Sequence, residues 1–193
     1  MESRISPTTA ISLLWLIWVA SWIIAAAWSD RSVRRAASGK QALYNIVTVI
    51  GVALLFGSAR ERRDHVAAWP VGRNTAWCMV VVAAIGFSLT WWARLHLGRM
   101  WSRWVVRKAD HHIVQTGPYS FVRHPIYTGI GLSALAAAVI LGTVFAYLGA
   151  ALMILGFYIK ARVEEQFLRE ELGAEAYDAY ARRVPMLVPF LRI

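Results

Sequence analysis

The chain has 193 residues, 58% of them hydrophobic and 17% charged, with a mean hydropathy of +0.47. A soluble domain is nearer half apolar and a quarter charged. Here the charges gather in clusters between long uncharged runs, which excludes an ordinary soluble fold and fits a polytopic membrane protein. The net charge of +10 would suggest nucleic acid in a soluble protein. In this chain the cations flank the spans and set their orientation, so no nucleic-acid partner is expected. The single cysteine, Cys78, sits in an apolar run; an internal disulfide and a thiolate metal site are both excluded.

Five helical spans are predicted, each near the roughly 20 apolar residues that a bilayer crossing needs. The first is about Ala10–Trp28, inside the uncharged stretch Ile5–Ser29. Ala25-Ala26-Ala27 resembles a signal-peptide cleavage site, but the length of the run and its Trp15, Trp18 and Trp22 favour a retained span. The second span is about Gln41–Ala59 and the third about Thr75–Ala93. The uncharged stretch Pro125–Ile159 is too long for one span and barely long enough for two. A tight hairpin broken near Leu141-Gly142-Thr143 is expected, the alternative being one tilted span with a re-entrant end. Both halves are rich in Gly and Ala, which let helix backbones approach closely in lipid.

Five spans put residues 29–40, 94–124 and 160–193 on one face. They hold sixteen of the 21 Lys and Arg residues, against five on the other. The positive-inside rule assigns the larger polar surface to the cytoplasm, although the Arg60–Arg73 loop is basic for an outside loop. Whole-chain organisation is therefore one all-α membrane domain, 1–193, with three N-terminal spans in 1–93 and the polar segments in 94–193.

Two of those segments differ from ordinary loops. In the first, Gly117-Pro118 is a turn, and Pro125 suits the first turn of the span that follows. Arg123-His124 then sits at a helix mouth, where free backbone N–H groups would favour an anion or carboxylate. His111, His112 and His124 raise the question of a metal, but no helical His pair and no thiolate accompanies them, so none is expected. The bland role for each is a headgroup-level side chain with a bonded ring.

In the second segment, the last span runs into Lys160, Arg162, Glu164 and Glu165, and the helix is predicted to continue to Glu171 and stop at Gly173. Glu165 and Arg169, four apart, are expected to pair on the surface. Arg162 and Glu164 lie just past the membrane boundary, where a charge needs a partner or a polar cavity. The tail Ala174–Arg183 reads as a short helix with Tyr177 and Tyr180 on one face; its simplest role is to rest on headgroups.

These segments resemble the isoprenylcysteine carboxyl methyltransferase family and, more loosely, phospholipid N-methyltransferases. The residues that carry the resemblance are His111-His112-Ile113-Val114, Gly117-Pro118-Tyr119, Arg123-His124-Pro125-Ile126-Tyr127, Glu164-Glu165, and Gly173 with Tyr177 and Tyr180. It covers about Trp101 to Pro189. One extra residue between Gly173 and Tyr177 leaves the roles of the two tyrosines in doubt.

The resemblance implies a cytoplasmic S-adenosylmethionine pocket built from the loop before the hairpin and the C-terminal helices, which makes 94–193 the catalytic half. His111, His112, Ile113, Val114, Tyr119, Arg123, His124, Pro125, Ile126 and Tyr127 would line it, and Glu164 would bind the cofactor's amino-acid or ribose portion. The family's basic residue aligns with Lys160 or Arg162. Arg162 is favoured, with Lys160 or Arg107 assisting, to orient a substrate carboxylate. The acceptor would be a lipophilic molecule, such as an isoprenylated cysteine, entering from the bilayer through a groove beside the Gly- and Ala-lined hairpin. A lipid or small-molecule amine acceptor, a non-enzymatic scaffold or sensor, and a nicotinamide-dependent membrane reductase of similar C-terminal architecture remain alternatives.

Overall fold

The computed structural model describes residues 5–26, 34–35, 38–57, 69–98, 106–107 and 113–191. Its helices are α1 (Pro7–Ala26), α2 (Ser38–Gly57), α3 (Arg73–Leu97), α4 (Pro125–Leu141), α5 (Val144–Leu172) and α6 (Ala174–Arg183), with a 3-10 turn at Gly117–Ser120. A two-residue antiparallel bridge pairs β1 (Arg34–Arg35) with β2 (Val106–Arg107). Among the described residues, four helices are long and apolar enough to cross a membrane, and α4 is a shorter apolar helix of 17 residues. At about 1.5 Å per residue, α4 is roughly 25 Å long, the lower limit for a span. Large apolar side chains such as Leu16, Ile24, Val49, Val81 and Ile85 point outward, as expected where lipid is the solvent.

The predicted helical hairpin is present. α4 ends at Gly142, whose φ of 64° is the left-handed conformation that a side chain resists. A Cβ there would also stand 2.5 Å from the Trp69 carbonyl oxygen, and the Trp69 N–H donates to the Gly142 carbonyl at 3.1 Å. Thr143 then caps α5, its hydroxyl accepting from the Ala146 N–H at 3.1 Å.

The hairpin lies between α2, which runs along α5, and α3, which runs along α4. Its small residues create those two contacts. A Cβ at Gly51 of α2 would stand 2.7 Å from the Met153 amide nitrogen and 2.8 Å from the Gly149 carbonyl oxygen, so the α2 and α5 backbones meet directly. Gly86 of α3 and Gly129 of α4 approach in the same way. Among the described residues, α2 and α3 cover most of the small residues where the lateral groove was expected: Ala134, Ala136, Ala137, Ala138 and Ala150 are all buried, while Ala151 is exposed.

α1 packs on α3 through indole rings. Trp15 and Trp18 meet Phe87 edge-on and stacked, respectively, and the Trp18 Nε1–H donates to the Thr90 hydroxyl at 2.7 Å. Arg94, fully buried, ties the helix ends together by donating to the Gly98 carbonyl at 2.7 Å and the Ala25 carbonyl at 2.9 Å. A cation at that depth requires such partners.

The hairpin also sets the position of the polar residues. Pro125 and Lys160 are each 17 residues from the Gly142–Thr143 turn, so they lie at similar depth. α5 then continues twelve residues further, to Leu172. Gly173, at φ 97°, turns the chain into α6, which folds back on α5. The loop before α4 and the extension of α5 are thereby on one face, close together.

Candidate functional site

At that face the Arg123-His124 pair meets the Glu164-Glu165 pair. His124 is the N-cap of α4 and is 7% exposed. Its Nδ1 lies 3.4 Å from a Glu164 oxygen and its Nε2 lies 3.3 Å from a Glu165 oxygen. Burial alone would lower its pKa from the usual 6.5, but the hydrogen bonds and charges of both carboxylates outweigh this, and the net shift is upward. An imidazole held between two carboxylates is stable as the imidazolium, with both N–H groups donating.

The two acids play different parts. Glu165 is 1% exposed and also accepts from the Arg123 Nε–H at 2.7 Å. Arg123 further donates to the Ala181 and Val184 carbonyls, at 3.0 and 2.6 Å. Arg123 and Glu165 thus bind the tail to α5. Glu164 keeps 21% of its side chain exposed and accepts from the Tyr127 hydroxyl at 2.7 Å. Tyr127 stacks between His124 and Phe157, with centroids at 5.5 and 5.1 Å. The Lys160 ammonium lies 5.3 Å from the Tyr127 ring centroid and 5.7 Å from that of Tyr44 on α2, within cation–π range of both.

Several expectations change here. Glu165 is not a surface partner of Arg169: it faces inward toward two cations, and Arg169 pairs instead with Asp178 of α6 at 2.6 Å. The helix mouth is not open to an anion. The Arg123 and His124 N–H groups donate to the Pro185 and Met186 carbonyls, and those of Tyr127 and Thr128 donate to the His124 carbonyl. The Thr128 hydroxyl adds a bond to the Leu187 carbonyl at 2.6 Å. α6 does not merely rest on a surface: Tyr177 and Tyr180 are buried against Ile113 and Leu168, and the Tyr180 hydroxyl donates to the Tyr119 carbonyl at 2.7 Å.

The remaining predicted residues divide as follows. Pro125 and Ile126 are buried, and Tyr119 is buried in the core with its hydroxyl 3.5 Å from the Ala93 carbonyl. Val114 packs beside that core. Arg162 is exposed; two positions from Glu164, it is about 200° around the helix from it. The cation beside Glu164 is Lys160. His111, His112 and the Arg60–Arg63 cluster lie outside the described residues, and of Arg107 only the backbone is described. The sequence reading passed over Tyr44. Its signal was a polar stripe, Gln41, Tyr44 and Thr48, at helical spacing within an apolar span. Among the described residues no group of three or more His, Cys, Asp or Glu side chains could hold a metal ion.

Comparison with known proteins adds a family. Residues 77–170 match the profile of the isoprenylcysteine carboxyl methyltransferase (ICMT) family. Protein-S-isoprenylcysteine O-methyltransferase of Schizosaccharomyces pombe is 29% identical over 85 residues, which is 44% of this chain and 36% of that protein. Protein-S-isoprenylcysteine O-methyltransferase B of Arabidopsis thaliana is 32% identical over 88 residues, 45% of this chain and 44% of that one. The nickel-cobalt-cadmium resistance protein NccN of Alcaligenes xylosoxydans xylosoxydans is 27% identical over 154 residues, 77% of this chain and 63% of its own length. The chain thus spans from about a third to under two thirds of the length of these relatives. The stretch 77–170 contains Arg123, His124, Tyr127, Glu164 and Glu165, and over it this integral membrane chain is similar to the isoprenylcysteine carboxyl methyltransferase family.

Proposed function

We propose that this chain is an S-adenosylmethionine-dependent methyltransferase acting on the carboxylate of a lipophilic substrate, such as an isoprenylated cysteine, at the cytoplasmic face of the membrane. The observation that carries the reading is the Glu164 carboxylate, held by His124 and Tyr127 and still 21% exposed, beside the Lys160 cation. The match of residues 77–170 to the family supports it, as do the S. pombe and A. thaliana relatives, both protein-S-isoprenylcysteine O-methyltransferases. The cytoplasmic orientation rests on the distribution of Lys and Arg.

The chemistry of these side chains fits the cofactor. A partly exposed carboxylate can accept from ribose hydroxyls or an ammonium, Lys160 can pair with a carboxylate, and the faces of Tyr127 and Tyr44 suit a cation. When bound, S-adenosylmethionine supplies a methyl group activated by a positive sulfur. The acceptor carboxylate is already ionised at neutral pH, so no general base is needed from the protein. His124, with both nitrogens bound to carboxylates, is suited to holding Glu164 in place rather than to moving protons. Lys160 orients the acceptor; it does not speed the chemical step, because the carboxylate loses charge as it reacts and strong ground-state attraction opposes that loss. The protein's contribution is therefore alignment and proximity. The test is transfer of labelled methyl groups from S-adenosylmethionine by the purified protein to a panel of prenylcysteine analogues and lipid amines. Base-labile label on the prenylcysteine carboxylates is expected. Label on the amines alone would replace the acceptor, and no transfer to any member would contradict the proposal.

A further inference from the structure

Tyr44 lies on α2, outside the family-matched stretch, and its surroundings are unusual. The residue is 2% exposed, and its hydroxyl has no hydrogen-bond partner among the described residues. A buried hydroxyl without a partner is costly, so such groups are rare. The position is fixed by the close α2–α5 contact. Thr48 of α2 faces Gly156 of α5, and one turn along each antiparallel helix brings Tyr44 to Lys160. The hydroxyl is near enough to the Glu164 carboxylate to feel its charge. The phenol thus offers one donor, unused among the described residues, beside an ammonium group that lies near both the Tyr44 and Tyr127 rings.

Donor and cation together call for an anionic acceptor with more than one oxygen. We infer that the Tyr44 hydroxyl and the Lys160 ammonium form one carboxylate seat, making Tyr44 a substrate- or cofactor-binding residue supplied by the N-terminal half of the chain. The inference deepens the methyltransferase reading and rests on it for the identity of the ligand. Two sources offer that chemistry: the acceptor's carboxylate and the carboxylate of the cofactor's amino-acid portion.

The test is Tyr44→Phe in the full-length purified protein, which removes the hydroxyl and keeps the ring. Three quantities are measured: thermal stability without ligand, the dissociation constant of S-adenosylhomocysteine by calorimetry, and the KM and binding of N-acetyl-S-farnesylcysteine beside its carboxamide analogue. Unliganded stability is expected to be unchanged or raised, because the lost hydroxyl is buried with no partner among the described residues. One of the two ligand constants is expected to weaken about tenfold, the loss of one hydrogen bond to a charged group. A rise in KM with cofactor affinity and kcat unchanged assigns the seat to the acceptor; weakened S-adenosylhomocysteine binding alone assigns it to the cofactor. Lys160→Met should weaken the same constant, and the double variant should lose less than the two changes added. Both constants unchanged in Tyr44→Phe, or a destabilised protein with unchanged ligand constants, overturns the inference. A wild type that transfers no methyl group yet binds the farnesylcysteine carboxylate, but not its carboxamide, in a Tyr44-dependent way would remove the methyltransferase reading and leave the seat standing.

Discussion

Replacing Glu165 with alanine is expected to unfold the site, not merely trim its surface. The carboxylate is 1% exposed and lies 2.7 Å from Arg123 Nε and 3.3 Å from His124 Nε2, both of which are themselves buried. Its removal leaves the Arg123 guanidinium short of its only nearby carboxylate among the described residues, and leaves half of the His124 imidazolium unpaired. Breaking a buried pair from one side costs about 3–5 kcal/mol, against a total stability of about 5–15 kcal/mol for a typical domain. At roughly 2–4 °C per kcal/mol for a chain of this size, the Tm should fall by about 6–20 °C. The assay is thermal unfolding of the detergent-solubilised protein, followed by fluorescence of the tryptophans, with Glu165→Ala, Arg123→Leu and the double variant compared. The double variant should lose less than the two single losses added, because it no longer strands a cation. A surface pair with Arg169 would contribute under about 1 kcal/mol. A Tm for Glu165→Ala within about 2 °C of wild type would therefore refute the buried-cluster reasoning.

Three further outcomes follow from the same geometry. His124 has its folded-state pKa raised above 6.5, so the stability it contributes is complete below the unfolded value and is lost as pH rises through the folded value. The wild-type Tm should therefore fall as pH rises above 6.5 through the folded value, relative to His124→Asn, and parallel pH profiles for the two proteins would contradict the imidazolium assignment. Gly142→Ala forces a side chain into the left-handed region and against the Trp69 carbonyl oxygen; a loss of about 1–2 kcal/mol or more is expected, read as a lowered Tm, and an unchanged Tm would show that the turn can relax. In the transfer assay, Lys160→Met should raise the KM for a carboxylate acceptor about tenfold while Arg162→Ala changes it little; the opposite order would return the substrate-orienting role to Arg162.

Much of the fold was legible in the sequence because bilayer crossing and helix termination are local signals. Run length located the spans, Gly142-Thr143 marked the hairpin, and Gly173 marked the end of α5, each by backbone rules that need no tertiary knowledge. The match of Arg123-His124 to Glu164-Glu165 was legible as two polar segments on one face. What was not legible was the helical phase that decides which of several adjacent charges points inward. The i,i+4 rule paired Glu165 with Arg169, but Arg123, 42 residues earlier, competes for that carboxylate in a buried setting where its bond is stronger. Arg162 is two residues from Glu164 and Lys160 is four, so distance along the chain alone favours Arg162. The rotation of α5 that turns Lys160 toward the site is set by Gly149 and Gly156 docking on α2, contacts that no window along the chain contains. The same rotation brings Tyr44 to the site across more than a hundred residues.

The claim on which the functional account turns is that the partly exposed Glu164 carboxylate binds the cofactor. Calorimetric titration of S-adenosylhomocysteine into the purified wild type and into Glu164→Gln tests it most directly, with unliganded Tm as the control for folding. The account predicts saturable binding to the wild type and affinity about tenfold or more weaker in the variant, the loss of a charged hydrogen-bond acceptor. Equal affinity in two well-folded proteins, or no binding to the wild type, would contradict it.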